Sequence, residues 1–253
     1  MAGHSKWANI KHKKAKEDAK KAKVFSKLSK KITVAAREGG GDPEVNSELR
    51  MLMDKAKDNN MPNDNVERAI KKGTGELEGV EYEEFTYEGY GPGGAALYID
   101  LMTDNRNRTA AEIRHLLTKH GGNLGENGCV AWMFERKGKI VIDGSETPFD
   151  EDELMMTALE AGAEDVEIND DMAIIYTDPT DFMEVHDNIK EDTSYKIADS
   201  DRAMIPKNDV KIDDLSTAKG VIKLMDALED HDDVQDIYSN FDIPEEIMDQ
   251  IDE

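Results

Sequence analysis

Twelve cations crowd the first 37 residues: Lys6, Lys11, Lys13, Lys14, Lys16, Lys20, Lys21, Lys23, Lys27, Lys30, Lys31 and Arg37, opposed only by Glu17 and Asp18. That segment carries +10 in a chain whose net charge is −24, so the other 216 residues carry −34. Lysine supplies point charges on flexible stems, which suits phosphate contact more than fixed-geometry recognition. Charge sorted this sharply fits one end that meets a polyanion and a body that repels it. Nucleic acid is the matching partner. A membrane surface would also attract lysines, but the segment lacks the bulky apolar face that inserts. The competing explanation is a solvated helix face that keeps a small bundle soluble.

Residues 1–12 hold too few apolar side chains to fold alone, and they read as an arm that orders on its partner. Within it Trp7, His4 and His12 could stack on exposed bases, which favours RNA or single strands. Equally, Trp7 and Ile10 could pack on the bundle. The basic helix offers mainly Lys, where base readout uses Arg, Asn or Gln. Its chemistry suits backbone and shape contacts better than sequence reading.

A second basic group comprises Arg106, Asn107, Arg108, Arg114, His115, Lys119 and His120. It stands out because residues 76–253 contain 14 basic and 46 acidic side chains. Arg106 and Arg108 precede an expected helix whose N-terminal amides also favour an anion, so a phosphate site is one reading and salt bridging to the acidic body the other. His115 and His120 are five apart and do not share a helix face as metal ligands would. No catalytic constellation is present: there is no P-loop, Gly-x-Ser-x-Gly or His-Glu-x-x-His, and no cofactor or metal is implied. Acidic pairs such as Asp170–Asp171 and Asp232–Asp233 are expected in so acidic a chain without any role. The acidic half could instead mimic nucleic acid or bind a basic protein such as a ribosomal protein, or serve only as a solvated surface.

The elements that must position these groups follow from periodicity. A helix over about 13–37 has Phe25, Leu28, Ile32 and Ala35 on one stripe, with the lysines largely off it, and Gly39–Gly41 ends it. Asp42-Pro43-Glu44 reads as N-cap, first helical residue and first turn of a second helix with Val45, Leu49, Leu52 and Ala56 inward. A third runs from Pro62 through Val66, Ala69 and Ile70 to Gly73. Together they suggest a three-helix bundle. From about 78 strands appear, at Phe85–Tyr90 and Ala95–Met102. Between them Gly89-Tyr90-Gly91-Pro92-Gly93-Gly94 matches a dinucleotide fingerprint by letter, but a strand follows it, so it reads as a hairpin turn. Thr109 and Glu112 have capping-box spacing for a helix containing Ile113, Leu116 and Leu117. Cys129–Phe134 reads as a strand with Cys129 a buried small hydrophobe.

Strands at 139–142, 165–168, 172–176 and 195–204, with helices at 151–161 and 182–189, give the β-α-β-β-α-β order of a ferredoxin-like unit. A last helix, 216–228, and strand, 234–241, are orphaned unless they return to the strands of 80–135. The fold class is therefore multi-domain α and α+β: a basic bundle with its arm at 1–77, a discontinuous α+β domain at 78–136 and 206–245, an inserted ferredoxin-like domain at 137–205, and an acidic tail at 246–253. The single cysteine excludes a disulfide framework and a cysteine zinc site. No apolar run reaches the roughly 20 residues of a membrane span, and no secretory signal opens the chain, which points to a cytoplasmic protein.

Ala2-Gly3-His4-Ser5-Lys6-Trp7-Ala8-Asn9-Ile10-Lys11-His12 resembles the start of the YebC/PmpR family, itself similar to the mitochondrial translational activator of cytochrome oxidase subunit one. The resemblance continues through Asn59-Asn60-Met61-Pro62, Tyr87–Gly94, Asp104–Thr109, Gly121–Gly125 and Tyr238–Phe241, almost the whole chain in order. It is weakest over about 140–204. It implies a helical bundle and two α+β domains, one inserted in the other, and a non-enzymatic role. The bacterial members are described as DNA-binding transcriptional regulators; the mitochondrial relatives act in translation, and bacterial ones have been implicated at the ribosome on proline-rich stretches. Opening at the family's first motif suggests a bacterial member. The expected partners are DNA or ribosomal RNA, with the ribosome a candidate and no membrane. The oligomeric state is not readable.

Overall fold

The computed structural model describes residues 18–145, 147–169, 171–192 and 195–252. Three helices come first: α1 Asp18–Gly39, α2 Ser47–Asp58 and α3 Asn63–Gly73. Leu28, Ile32 and Ala35 of α1 pack on Leu49, Leu52, Ala56, Val66 and Ala69, the periodic residues of all three helices. α1 and α3 approach so closely at Gly73 that a Cβ there would collide with the Thr33 carbonyl and the Ala36 methyl.

The start of α2 differs from the sequence expectation. Asp42-Pro43-Glu44 forms a turn ahead of the helix, and Val45 is 79% exposed rather than inward. The cap is Asn46, whose Oδ1 accepts the Leu49 amide at 3.0 Å. Its Nδ2 also donates to the carbonyls of Ala35 (2.9 Å) and Gly40 (2.8 Å), closing the end of α1. One buried amide serving two helix ends outcompetes Asp42, which only bridges to Glu44 N–H.

The first sheet has the order β3-β1-β2-β9, all antiparallel, from β1 Glu83–Tyr90, β2 Ala96–Thr103, β3 Asn123–Leu124 and β9 Val234–Ser239. The glycine-rich segment is the β1–β2 hairpin connection, with Gly93 at φ 71° and Gly94 at φ 78°. α4 Arg106–Lys119 and α7 Leu215–Glu229 cover one face, burying Ile113, Leu117, Val221, Leu224, Met225 and Leu228 on Leu97, Ile99 and Leu101. The helix α4 begins four residues earlier than the Thr109 capping box implied. Asn105 Oδ1 accepts the Arg108 amide at 3.1 Å, and Thr109 lies inside the helix with its hydroxyl engaged elsewhere.

The second sheet has the order β5-β6-β4-β7, again antiparallel, from β4 Phe134–Asp143, β5 Asp165–Asn169, β6 Met172–Thr177 and β7 Ile197–Pro206. α5 Glu151–Glu160 and α6 Phe182–Asp192 cover it through Leu154, Ala158, Phe182, Val185 and Ile189. Cys129–Phe134 is not a strand: Ala131–Met133 forms a 3-10 turn, and only Phe134 enters β4. Glu88 dictates that turn. Its carboxylate accepts the amides of Gly128 (2.6 Å), Val130 (2.7 Å) and Ala131 (2.8 Å), which an extended strand could not aim at one point. Cys129 is half-buried beside Ala96, Val130 and Phe134. A short parallel pair, β8 Val210–Lys211 with β10 Phe241–Asp242, follows. The segment expected as an acidic tail carries α8 Glu245–Asp252, with Met248 buried in the first sheet's core.

Candidate nucleic-acid interface

The stripe of α1 that packs inside the bundle leaves its lysines on the other side, and there they meet the acidic body. Lys23 Nζ lies 2.7 Å from Asp230 Oδ1 and 3.1 Å from the Asp230 carbonyl, and Lys27 Nζ reaches the Glu229 carbonyl at 3.0 Å. Both ammonium groups thus cap the carbonyl end of α7, where a helix dipole favours positive charge. Lys30 Nζ bonds the carbonyls of Asp232 (2.8 Å) and Met102 (3.3 Å) and Asp233 Oδ1 (2.9 Å).

Asp233 is the centre of this contact. It is 4% exposed, and its Oδ2 accepts from Arg108 Nη2 (2.9 Å), Thr109 Oγ1 (2.8 Å) and Thr103 Oγ1 (3.0 Å). Burial alone would raise the carboxyl pKa, but the donors Arg108, Lys30 and Thr109 outweigh it and hold Asp233 well below the usual carboxylate range. A second cluster forms around the next residue of α1, Lys31. Lys31 Nζ is 2.7 Å from Asp236 and 3.5 Å from Asp201. Lys55 of α2 is 2.8 Å from Asp199 and 3.3 Å from Asp201. Asp199 and Asp201 are two apart in β7 and project from one side of the sheet. Burial opposes charge on both lysines, yet the surrounding aspartates prevail and raise both pKa values above the ordinary lysine value. Arg37 donates to the Tyr82 carbonyl at 3.1 Å.

The other expected residues fall as follows. Lys6, Trp7, Lys11, His12, Lys13, Lys14 and Lys16 lie outside the described residues, and Lys20 and Lys21 belong to the first turn of α1. Arg106 stacks on Phe85, its guanidinium 4.8 Å from the ring centroid. Arg108 is divided between Asp233 and Asp104 (3.0 Å). Arg114 is exposed, and its side chain has no ion-pair partner among the described residues. The structure therefore joins Lys30 and Arg108 on Asp233, pairs Lys23 separately with Asp230, and leaves Arg114 apart from both.

Sequence reasoning missed the acidic half of this contact. In the sequence Asp232–Asp233 is one acidic pair among many, and Lys55, Asp199, Asp201, Asp230 and Asp236 carry no signal that separates them from their many neighbours. Glu112, His231 and Asp233 also converge, with one ligand atom from each within 4.8 Å of the others. His231 Nδ1 accepts the Asp233 amide at 3.1 Å, which places the neutral ring's proton on Nε2, facing Glu112 at 2.9 Å. With Asp233 already filled by cations and hydroxyls, this trio is a hydrogen-bond relay and a poor cation site.

A basic helical bundle held by lysines on an acidic body of two antiparallel sheets defines a multidomain α and α+β protein. Its sequence matches the family model of the TACO1/YebC N-terminal domain over residues 5–76 and that of the TACO1/YebC second and third domain over residues 82–241. The chain belongs to the TACO1/YebC family. A relative named "Probable transcriptional regulatory protein" in Halothermothrix orenii is 70% identical over 253 residues, the full length of both chains. One of the same name in Natranaerobius thermophilus is 59% identical, covering 98% of this chain and 99% of that one. The crystal structure of a conserved hypothetical protein from Aquifex aeolicus has a TM-score of 0.88 and 52% identity, covering 96% of this chain and 98% of that one. Among the described residues no helix is long and apolar enough to cross a membrane.

Proposed function

We propose that this chain is a DNA-binding transcriptional regulator of the YebC type, which meets its nucleic acid through the N-terminal cations. The observation that carries this reading is the charge sorting, +10 over residues 1–37 against −34 over the rest. The names of its relatives support a regulatory role and describe no enzyme. Because Lys23, Lys30 and Lys31 are engaged by the body, first contact with phosphate falls on the cations ahead of them, Lys6, Lys11, Lys13, Lys14, Lys16 and Lys20, with exposed Arg114 as a secondary point. About six phosphate contacts give a salt slope near −5 on duplex DNA. Fluorescence anisotropy with duplex DNA and with structured RNA, over a salt series, tests this. Neutralising the six lysines to Gln abolishes the slope; binding that survives neutralisation refutes the assignment.

A second reading, a ribosome-associated translation factor acting on difficult, proline-rich sequences, is favoured by the residue chemistry: Lys without a base-reading array suits structured RNA. Salt-sensitive comigration with ribosomes in a sucrose gradient, lost on removing residues 1–37, supports it over promoter binding. A protein that stays at the top of the gradient argues for DNA.

Within this reading we divide the chain into the bundle (1–77), a discontinuous α+β domain (78–136 and 206–245, extended by α8) and an inserted ferredoxin-like domain (137–205). The sheet order β5-β6-β4-β7 supports the ferredoxin-like assignment, and the pairing of β9 with β2 supports the insertion.

A further inference from the structure

Helix α5 needs one apolar face to pack on its sheet, and Leu154 and Ala158, both fully buried, supply it. The helix carries a second apolar face. Met155, Met156 and Leu159 are 41%, 63% and 52% exposed, and they fall within an arc of roughly 100° on its outer side. Of the other exposed large hydrophobics among the described residues, Val45, Leu77 and Val80 lie in connecting segments and Trp132 in the 3-10 turn. Exposed apolar side chains gathered on one short helix mark a contact surface where isolated ones do not.

The surroundings of this face choose the partner. Residues 150–165 contain seven acids, Asp150, Glu151, Asp152, Glu153, Glu160, Glu164 and Asp165, and no base. Asp152 precedes the apolar residues on the same arc, and Glu153 and Glu160 flank them. An acidic rim repels nucleic acid and anionic membrane, so neither occupies it. Two copies of this face would set like charges against each other, which disfavours a symmetric dimer through α5. The chain's own basic helix is committed elsewhere, to Asp230, Asp233 and Asp236. Flexible methionines ringed by carboxylates suit an amphipathic helix with its own apolar stripe and flanking lysines or arginines.

We propose that the Met155–Met156–Leu159 face of α5 docks a basic amphipathic helix of a partner protein. The inference is independent of the nucleic-acid reading, since it uses the opposite charge on a different element.

The probe is a fluorescein-labelled helical peptide of Leu and Lys in amphipathic register, titrated with the full chain; a scrambled peptide of equal composition is the control. The register peptide binds saturably, and Met155→Ser/Met156→Ser/Leu159→Ser raises its Kd about tenfold or more. The scrambled peptide, attracted only by net charge, binds wild type and variant alike. Because the three residues are exposed, the variant keeps its far-UV spectrum. Independently of any variant, methyl resonances of Met155 and Met156 shift on adding the register peptide to wild type. Equal affinity of wild type and triple variant, or unmoved methyl resonances, overturns the proposal. So does sedimentation showing a wild-type dimer that the triple variant loses, which would give the face to a second copy.

Discussion

Replacing Asp233 by alanine tests the central structural claim, that one buried carboxylate joins the basic helix to the acidic body. Asp233 receives two cations and two hydroxyls at 2.8–3.0 Å while 4% exposed. Removing one partner of such a buried cluster strands the others in a desolvated site and costs about 3–5 kcal/mol. In a protein of this size that lowers Tm by about 10 °C. Lys30→Met, which spares the Arg108 and threonine bonds, costs less, about 2 kcal/mol. The double variant falls short of additivity by about 2 kcal/mol, because the two changes delete the same bond. Acid titration supplies a separate check. The Asp233 pKa is depressed in the fold, so its contribution is fully present above the ordinary carboxylate range near 4 and lost as pH falls below it. Asp233→Ala therefore flattens the acid limb of the stability curve. Thermal and denaturant unfolding across pH 2–7 measure all three effects. A loss under about 1 kcal/mol for Asp233→Ala, or full additivity with Lys30→Met, would refute the reasoning.

Other contacts make equally definite demands. Glu88→Gln replaces a carboxylate that accepts three amides with a group that must present an N–H to one of them, costing about 2–3 kcal/mol. Trp132 donates to the Cys129 carbonyl in the same turn, so in a Trp7→Phe background its emission shifts with the change. Gly73→Ala drives a methyl into the Thr33 carbonyl and the Ala36 side chain and destabilises the bundle by about 1–3 kcal/mol, read from amide exchange in α1 and α3. Asn46→Ala removes the α2 cap and strands the Ala35 and Gly40 carbonyls; a loss of about 2 kcal/mol in the bundle's unfolding is expected, and a loss of a few tenths would show the cap to be idle.

Much of the architecture could be read from periodicity because each element buries one face. Leu28, Ile32 and Ala35 repeat at helical spacing and do line the bundle core, and Leu97, Ile99 and Leu101 alternate and do face α4 and α7. Capping misled where two candidates stood close together. Asp42 and Thr109 have suitable side chains, but Asn46 and Asn105 take the caps; the Thr109 hydroxyl is drawn to Asp233, 124 residues away. The strand expected at Cys129–Phe134 failed for a similar reason, since Glu88, distant in sequence, gathers two of its amides together with that of Gly128 just before it. The charge pattern was visible, but its internal partner was not. A lysine looks the same whether it waits for a phosphate or holds an aspartate about 200 residues downstream, as Lys30 holds Asp233. Only the fold separates those two uses.

The order in which the chain is made gives that separation a further meaning. α1 is complete at Gly39, whereas Asp230, Asp233 and Asp236, which receive its lysines, are made about 200 residues later, and β2 has no β9 beside it until then. At translation rates of 5–20 residues per second, the basic helix spends roughly 10–40 s outside the ribosome before its own acids can cover it. During that interval the nascent chain presents an uncovered row of lysines to the polyanionic surface from which it emerges. Emergence of Asp230, Asp233 and Asp236 then closes the row.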